Sequence, residues 1–208
     1  MTVLGLSWFT WTLLLVLLVV GFLIYYRLLF PPTVDSMHFP GMIFLYADFQ
    51  CRYMDVGCCF ERVAKDTVEV VSGLPCETDL LGFYFDDPTK LKDPQMGRVA
   101  IGIALTGSEM LYKGEELARR SSRYRLRTLP RSKSLHMQVP LRNMISYFLL
   151  GFYWRRIASF ISTAVPPPTA PLCGIELYNM KRHTVDLYFP LEEGHSFQFS
   201  QFADPPLK

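Results

Sequence analysis

Apolar and polar positions fall into two regimes along this chain. Residues 6–26, LSWFTWTLLLVLLVVGFLIYY, are apolar without a single charge, and a helix needs about 20 such residues to cross the hydrocarbon core of a bilayer. From residue 41 onward the apolar positions recur with the periods of ordinary folded elements. Alternation and β-former enrichment predict strands over 42–49 (MIFLYADF), 80–86 (LLGFYFD), 98–105 (RVAIGIAL), 124–129 (YRLRTL), 135–139, 174–178 and 185–190 (VDLYFP). The spacing of Val56, Cys59, Phe60, Val63 and Val70 predicts a helix over 56–71, and a polar helix follows at 107–120. A longer helix is expected over 143–165, with Asn143 as its N-cap and Pro166-Pro167-Pro168 as its stop. Arg155 and Arg156 cut its apolar stretch short of a second span, so it reads as a core helix turning Ile145, Phe148, Leu149 and Phe152 toward the sheet.

These elements divide the chain into a transmembrane anchor (1–27), a proline-bearing linker (28–40), a folded domain (41–192) and a short C-terminal tail (193–208). Each half of the domain reads strand, helix, strand, strand. The expected fold class is α+β: two βαββ repeats forming an antiparallel-rich sheet with the helices on one face.

The flanks of the apolar span favour an anchor over a cleaved signal peptide. No Lys or Arg precedes it, and Tyr-Tyr-Arg-Leu-Leu-Phe follows where a small-residue cleavage site would stand. Arg27 just after the span directs the N-terminus away from the cytosol and the domain into it. The 5 cysteines are odd in number and not spaced as a framework, which fits thiols in a reducing compartment. With 21 basic against 19 acidic residues, composition makes no case for a nucleic-acid partner. No His/Cys spacing suits zinc and no Gly-rich phosphate loop is present, so no cofactor or metal is expected. Arg119, Arg120, Arg123, Arg125, Arg127, Arg131 and Lys133 form a basic run. It is either a solvated face or, near a bilayer, a contact for anionic headgroups through Arg123, Arg125 and Arg127.

One carboxylate stands out. In Ile175-Glu176-Leu177-Tyr178, strand alternation sets Glu176 and Tyr178 on one face and the aliphatic pair on the other. That face meets either water or a cleft. The stretches FYFDDP (83–88), VAIGIAL (99–105) and IELYNMKRHTVDLYFPL (175–191) resemble the GyrI-like domain family, the effector-binding fold of bacterial drug-sensing regulators. Joined to an uncharged span, they are similar to single-span GyrI-like receptors for autophagy of the endoplasmic reticulum.

The resemblance implies helices on the convex side of the sheet and a concave cleft on the other. In the drug-sensing relatives a glutamate of the corresponding strand lies in that cleft and meets cationic ligands, and Glu176 holds its position. Aligning the two hairpins sets Phe83 and Phe85 opposite Glu176 and Tyr178, a ligand site for a flat aromatic or cationic molecule. The implied location is the endoplasmic reticulum membrane, N-terminus lumenal and domain cytosolic, with a membrane-anchored binding module as the function.

Two alternatives follow from the same resemblance. An autophagy receptor would bind autophagosome ubiquitin-like proteins through an aromatic-x-x-aliphatic motif. Residues 188–191 (YFPL) have that spacing but fall on an expected core strand, and the receptors' long acidic tail does not appear in 193–208. A GyrI-like hydrolase would use Glu176 as general base, but no second catalytic group stands at a fixed position, so a non-enzymatic role is favoured.

Overall fold

The computed structural model describes residues 8–29, 32–72, 78–86, 93, 97–164, 173–191 and 197. It separates into two compact units, residues 1–33 and 34–208. In the first, α1 (Trp8–Tyr25) is a single helix long and apolar enough to cross a membrane.

The second unit is an α+β fold around one eight-stranded sheet. Its strands are β1 (Asp35–Phe39), β2 (Met42–Cys51), β3 (Leu80–Tyr84), β4 (Gly97–Leu105), β5 (Tyr124–Leu129), β6 (Ser132–Pro140), β7 (Gly174–Asn179) and β8 (Thr184–Pro190). Every pairing is antiparallel, in the order β1-β6-β8-β7-β3-β4-β2-β5. The helices are α2 (Val56–Asp66), α3 (Val68–Val71), α4 (Gly107–Arg120) and α5 (Met144–Ala164). β3 and β7 meet at the centre of the sheet, with β8 and β6 beyond β7 and with β4 and β2 beyond β3.

Strand alternation sorts the core into two layers. On one face Ile43, Leu45 and Ala47 of β2 with Val99, Ile101 and Ile103 of β4 pack against α2, α3 and α4. Met137, Val185, Leu187 and Tyr178 on the same face receive Leu150, Tyr153, Ile157 and Ile161 of α5. The other face gathers Phe39, Phe44, Tyr46, Leu81, Phe83, Ile175, Leu177 and Tyr188, with no helical residue among them. Instead it is covered in part by Phe197, which is fully buried with its ring centroid 5.9 Å from Phe39 and 6.1 Å from Phe83.

Several sequence expectations need correction. β1 lies inside the stretch read as linker. It is a short edge strand whose first four residues are exposed, so it lacks the apolar alternation that marks a strand. The helix expected over 56–71 is two helices, broken at Thr67, whose hydroxyl and backbone N–H both donate to the Val63 carbonyl, at 2.8 and 2.9 Å. Asn143 does cap α5, its side-chain oxygen accepting from the Ile145 N–H at 3.1 Å; the proline run lies outside the described residues. The face of α5 differs from the expectation. Ile145, Phe148 and Phe152 point to solvent and Leu149 is half-buried, while Leu150, Tyr153, Ile157 and Ile161 meet the sheet. Both sides of this helix are apolar, so periodicity alone cannot choose between them.

Phe197 therefore belongs to the core. Phe197→Ala should lower the unfolding free energy of the chain in mild detergent by about 3 kcal/mol in urea titrations, as for other buried Phe truncations. A loss below about 1 kcal/mol would show that the ring contributes little to that face.

Candidate functional site

Two glycines build the site before any functional group enters it. Glu176 on β7 pairs directly with Gly82 on β3, and Gly174 precedes it by two residues on the same face. A Cβ at Gly174 would come within 2.3 Å of the Trp154 indole, and one at Gly82 within 2.8 Å of the Phe60 ring. Without those Cβ atoms, Trp154 from α5 and Phe60 from α2 lie down on the sheet on either side of the carboxylate. Oε1 of Glu176 accepts from Trp154 Nε1 at 2.5 Å. Oε2 accepts from the Tyr84 hydroxyl at 2.5 Å and the Tyr178 hydroxyl at 2.7 Å.

The cage is held from outside as well. The Tyr178 ring meets Phe60 edge-on at 5.1 Å and stacks with Tyr147 of α5 at 6.3 Å. Tyr84 packs against Trp154 at 5.9 Å and Tyr53 at 5.5 Å. Tyr53 in turn donates to the Asp86 carbonyl at 2.9 Å, while the Asp86 carboxylate grips Arg98 at 2.6 Å and accepts from its backbone N–H. Asp86 thus fixes the aromatic side of the cage.

Glu176 is only 3 % exposed, and its three partners are all neutral donors. Burial raises its carboxyl above the ordinary 4.5, against the opposing pull of the hydrogen bonds from Tyr178, Tyr84 and Trp154. Burial, followed by the nearby Glu176 charge, pushes both tyrosine hydroxyls well above 10, so they remain donors at neutral pH. Hydrogen bonds to a charged group are worth about 1.5–3 kcal/mol each, which offsets much of the desolvation cost without supplying a counter-charge. The carboxylate therefore lies among aromatic rings, a surrounding whose faces attract positive charge.

The structure separates the four residues expected to form one ligand site. Glu176 and Tyr178 share the cage, but Phe83 pairs with Ile175 and, like Phe85, belongs to the opposite face. The alignment of the hairpins is one residue out of register, and a one-residue slip exchanges every side chain between faces. Tyr84 stands where Phe83 and Phe85 were expected. The cage also faces the helices, not a cleft on the other side of the sheet. Gly82 and Tyr84 share a face as Gly174, Glu176 and Tyr178 do, but LLGFYF has aromatic residues at both parities, so the sequence did not choose between them. Trp154 and Phe60 carried no strand parity to read.

Other candidates have bland placements. Tyr188, Phe189 and Pro190 of the YFPL motif are buried on β8, which is paired on one side with β6 and on the other with β7, so the motif has no free strand edge to offer. Arg123 bridges Asp66 at 3.7 Å and lies over the Phe49 ring, and Arg125 bridges Asp48 at 3.6 Å. Burial pushes the Cys51 and Cys173 thiols up to about 12, away from nucleophilic reactivity.

No family model matches this sequence, and no curated protein does. Solved structures do share its fold. The structure of SAV2435 bound to tetraphenylphosphonium is 12 % identical, covering 77 % of this chain and 94 % of that one with a TM-score of 0.50. The EcmrR C-terminal domain is 9 % identical over 77 % of this chain and 98 % of its own, TM-score 0.53. An integron cassette protein from the mobile metagenome of Vibrio cholerae is 12 % identical over 76 % and 95 %, TM-score 0.51. The likeness is one of fold, and the fold is GyrI-like.

Gly174→Ala should displace the Trp154 indole, cost about 2 kcal/mol of stability through overpacking, and move the indole Nε1–H proton resonance out of its hydrogen-bonded position. An unchanged resonance would contradict the role given to Gly174.

Proposed function

We propose that this chain is a membrane-anchored binding module whose GyrI-like domain takes an aromatic or otherwise apolar cation at Glu176. The observation that carries the reading is the buried carboxylate with three neutral donors and no cationic partner among the described residues. Binding supplies the missing positive charge while the rings of Tyr84, Trp154, Tyr178 and Phe60 supply apolar and cation–π contact. The tetraphenylphosphonium held by SAV2435 is a ligand of this chemical class. Because the cage is closed, binding requires Trp154 or Phe60 to move aside, and the cost of that opening lowers the apparent affinity. Tyr147, exposed on α5 and stacked on Tyr178, is the ring that connects the cage to solvent.

The anchor in this reading is α1, and the location is the endoplasmic reticulum membrane with the domain in the cytosol, as the family resemblance implies. Direct binding of autophagosome proteins through residues 188–191 is not part of the proposal, because β8 lies inside the sheet. Nor is hydrolysis: both Glu176 oxygens are engaged by donors, and a general base needs a water within reach.

Calorimetric titration of tetraphenylphosphonium into the full chain tests this. Glu176→Gln should weaken binding by about 2 kcal/mol, roughly thirtyfold, with folding retained. A carboxyl raised by burial is protonated more readily in the folded state, so its neutral form is favoured as pH falls. Affinity should therefore rise with pH through a midpoint above 4.5, because only the ionised carboxylate attracts the cation. Equal affinity for wild type and Glu176→Gln, or none for either, would overturn the proposal.

A further inference from the structure

α5 carries apolar side chains on both its buried and its exposed side. Its inner stripe, Leu150, Tyr153, Ile157 and Ile161, is buried on the sheet. Its outer stripe is Met144, Ile145, Phe148, Phe152 and Phe160, all exposed, with Phe148 at 81 % and Met144 at 70 %. A lone exposed hydrophobic residue needs no account, but a contiguous row does. Met144, Phe148 and Phe152 are spaced by four and stand in one line along the helix. Arg156 continues that line, with Arg155 beside it. Both arginines are exposed, neither forms an ion pair with a described residue, and α5 contains no acidic residue.

Two occupants compete for such a face, another protein surface and a bilayer. A stable protein interface takes about 20–30 residues a side, with the apolar part at its centre. One helix edge of five large side chains falls well short. An interfacial helix needs only what α5 has: aromatic and aliphatic residues to sink below the headgroups, and cations beside them for lipid phosphate. The same chain carries α1, so lipid stands at high effective concentration around the domain.

We infer that α5 docks on an anionic bilayer through its Met144–Phe148–Phe152 edge, with Arg155 and Arg156 on headgroup phosphates. This rests on reading α1 as a membrane anchor. It also displaces Arg125 and Arg127 as lipid contacts. Those two pair with Tyr46 and Phe44 on the sheet face opposite the helices, so a flat membrane touching the outer edge of α5 cannot reach them. α5 also supplies Trp154 to the Glu176 cage from its opposite side, so one helix carries both the bilayer contact and part of the cage.

The test uses the full chain in vesicles of phosphatidylcholine and phosphatidylserine, with an environment-sensitive fluorescent amino acid at position 148. Its emission should shift to the blue and fall about twofold when the lipid chains are brominated, while the same probe at position 112, exposed on α4, should do neither. Met144→Glu with Phe152→Glu should abolish the quenching at 148. Water-like emission without quenching, in vesicles from which carbonate does not extract the chain, overturns the docking of α5 and leaves the anchor intact. Extraction by carbonate counts against the anchor, whereas quenching before extraction supports the α5 contact independently. A blue-shifted probe in detergent whose signal depends on protein concentration, with a dimer by light scattering, assigns the face to a second copy and overturns the lipid reading.

Discussion

The second unit is organised around one expensive choice, a carboxylate placed under two helices in the middle of its sheet. An unpaired charge in such a position is tolerated only when hydrogen bonds saturate it. That requirement explains the surrounding residues. Gly82 and Gly174 clear the sheet surface, Trp154 and Phe60 close over it, and Tyr84 and Tyr178 bring hydroxyls to one oxygen. Tyr53, Asp86 and Arg98 then hold Tyr84 in place from the β3–β4 end. A structural role alone would be served more cheaply by Leu at position 176, since apolar replacements of buried charges are often neutral or stabilising.

The two faces of the sheet are chemically different. The helix-covered face carries the polar cage inside an aliphatic layer. The other is an aromatic layer of Phe39, Phe44, Phe83 and Tyr188, closed in part by Phe197, with His136 and Asp186 forming a 2.8 Å pair near its rim. The aromatic residues assigned to a cleft by sequence are real components of the molecule, but they stabilise the face that Glu176 does not see.

The strands were legible because alternation is strong in MIFLYADF, RVAIGIAL and VDLYFP, and the α+β class followed from them. The GyrI-like resemblance added the importance of Glu176, which periodicity left open between water and a pocket. Register was not legible. LLGFYF offers aromatic residues at both parities, so an error of one position replaced Tyr84 with Phe83 and Phe85. The orientation of α5 was hidden for a related reason: a helix with apolar side chains on both its buried and its exposed side gives little moment to read, and Trp154 could not be told from its neighbours. β1 escaped because an exposed edge strand is polar by necessity.

Everything proposed for this site depends on Glu176 being an ionisable anion in a closed aromatic cage. The direct measurement is the carboxyl carbon resonance of Glu176, followed by NMR against pH with and without tetraphenylphosphonium. The account predicts a midpoint above 4.5 in the free chain, and a fall in that midpoint when the cation is bound, because a nearby positive charge favours the ionised form. A midpoint at the ordinary glutamate value, or one that the cation leaves unmoved, would contradict it.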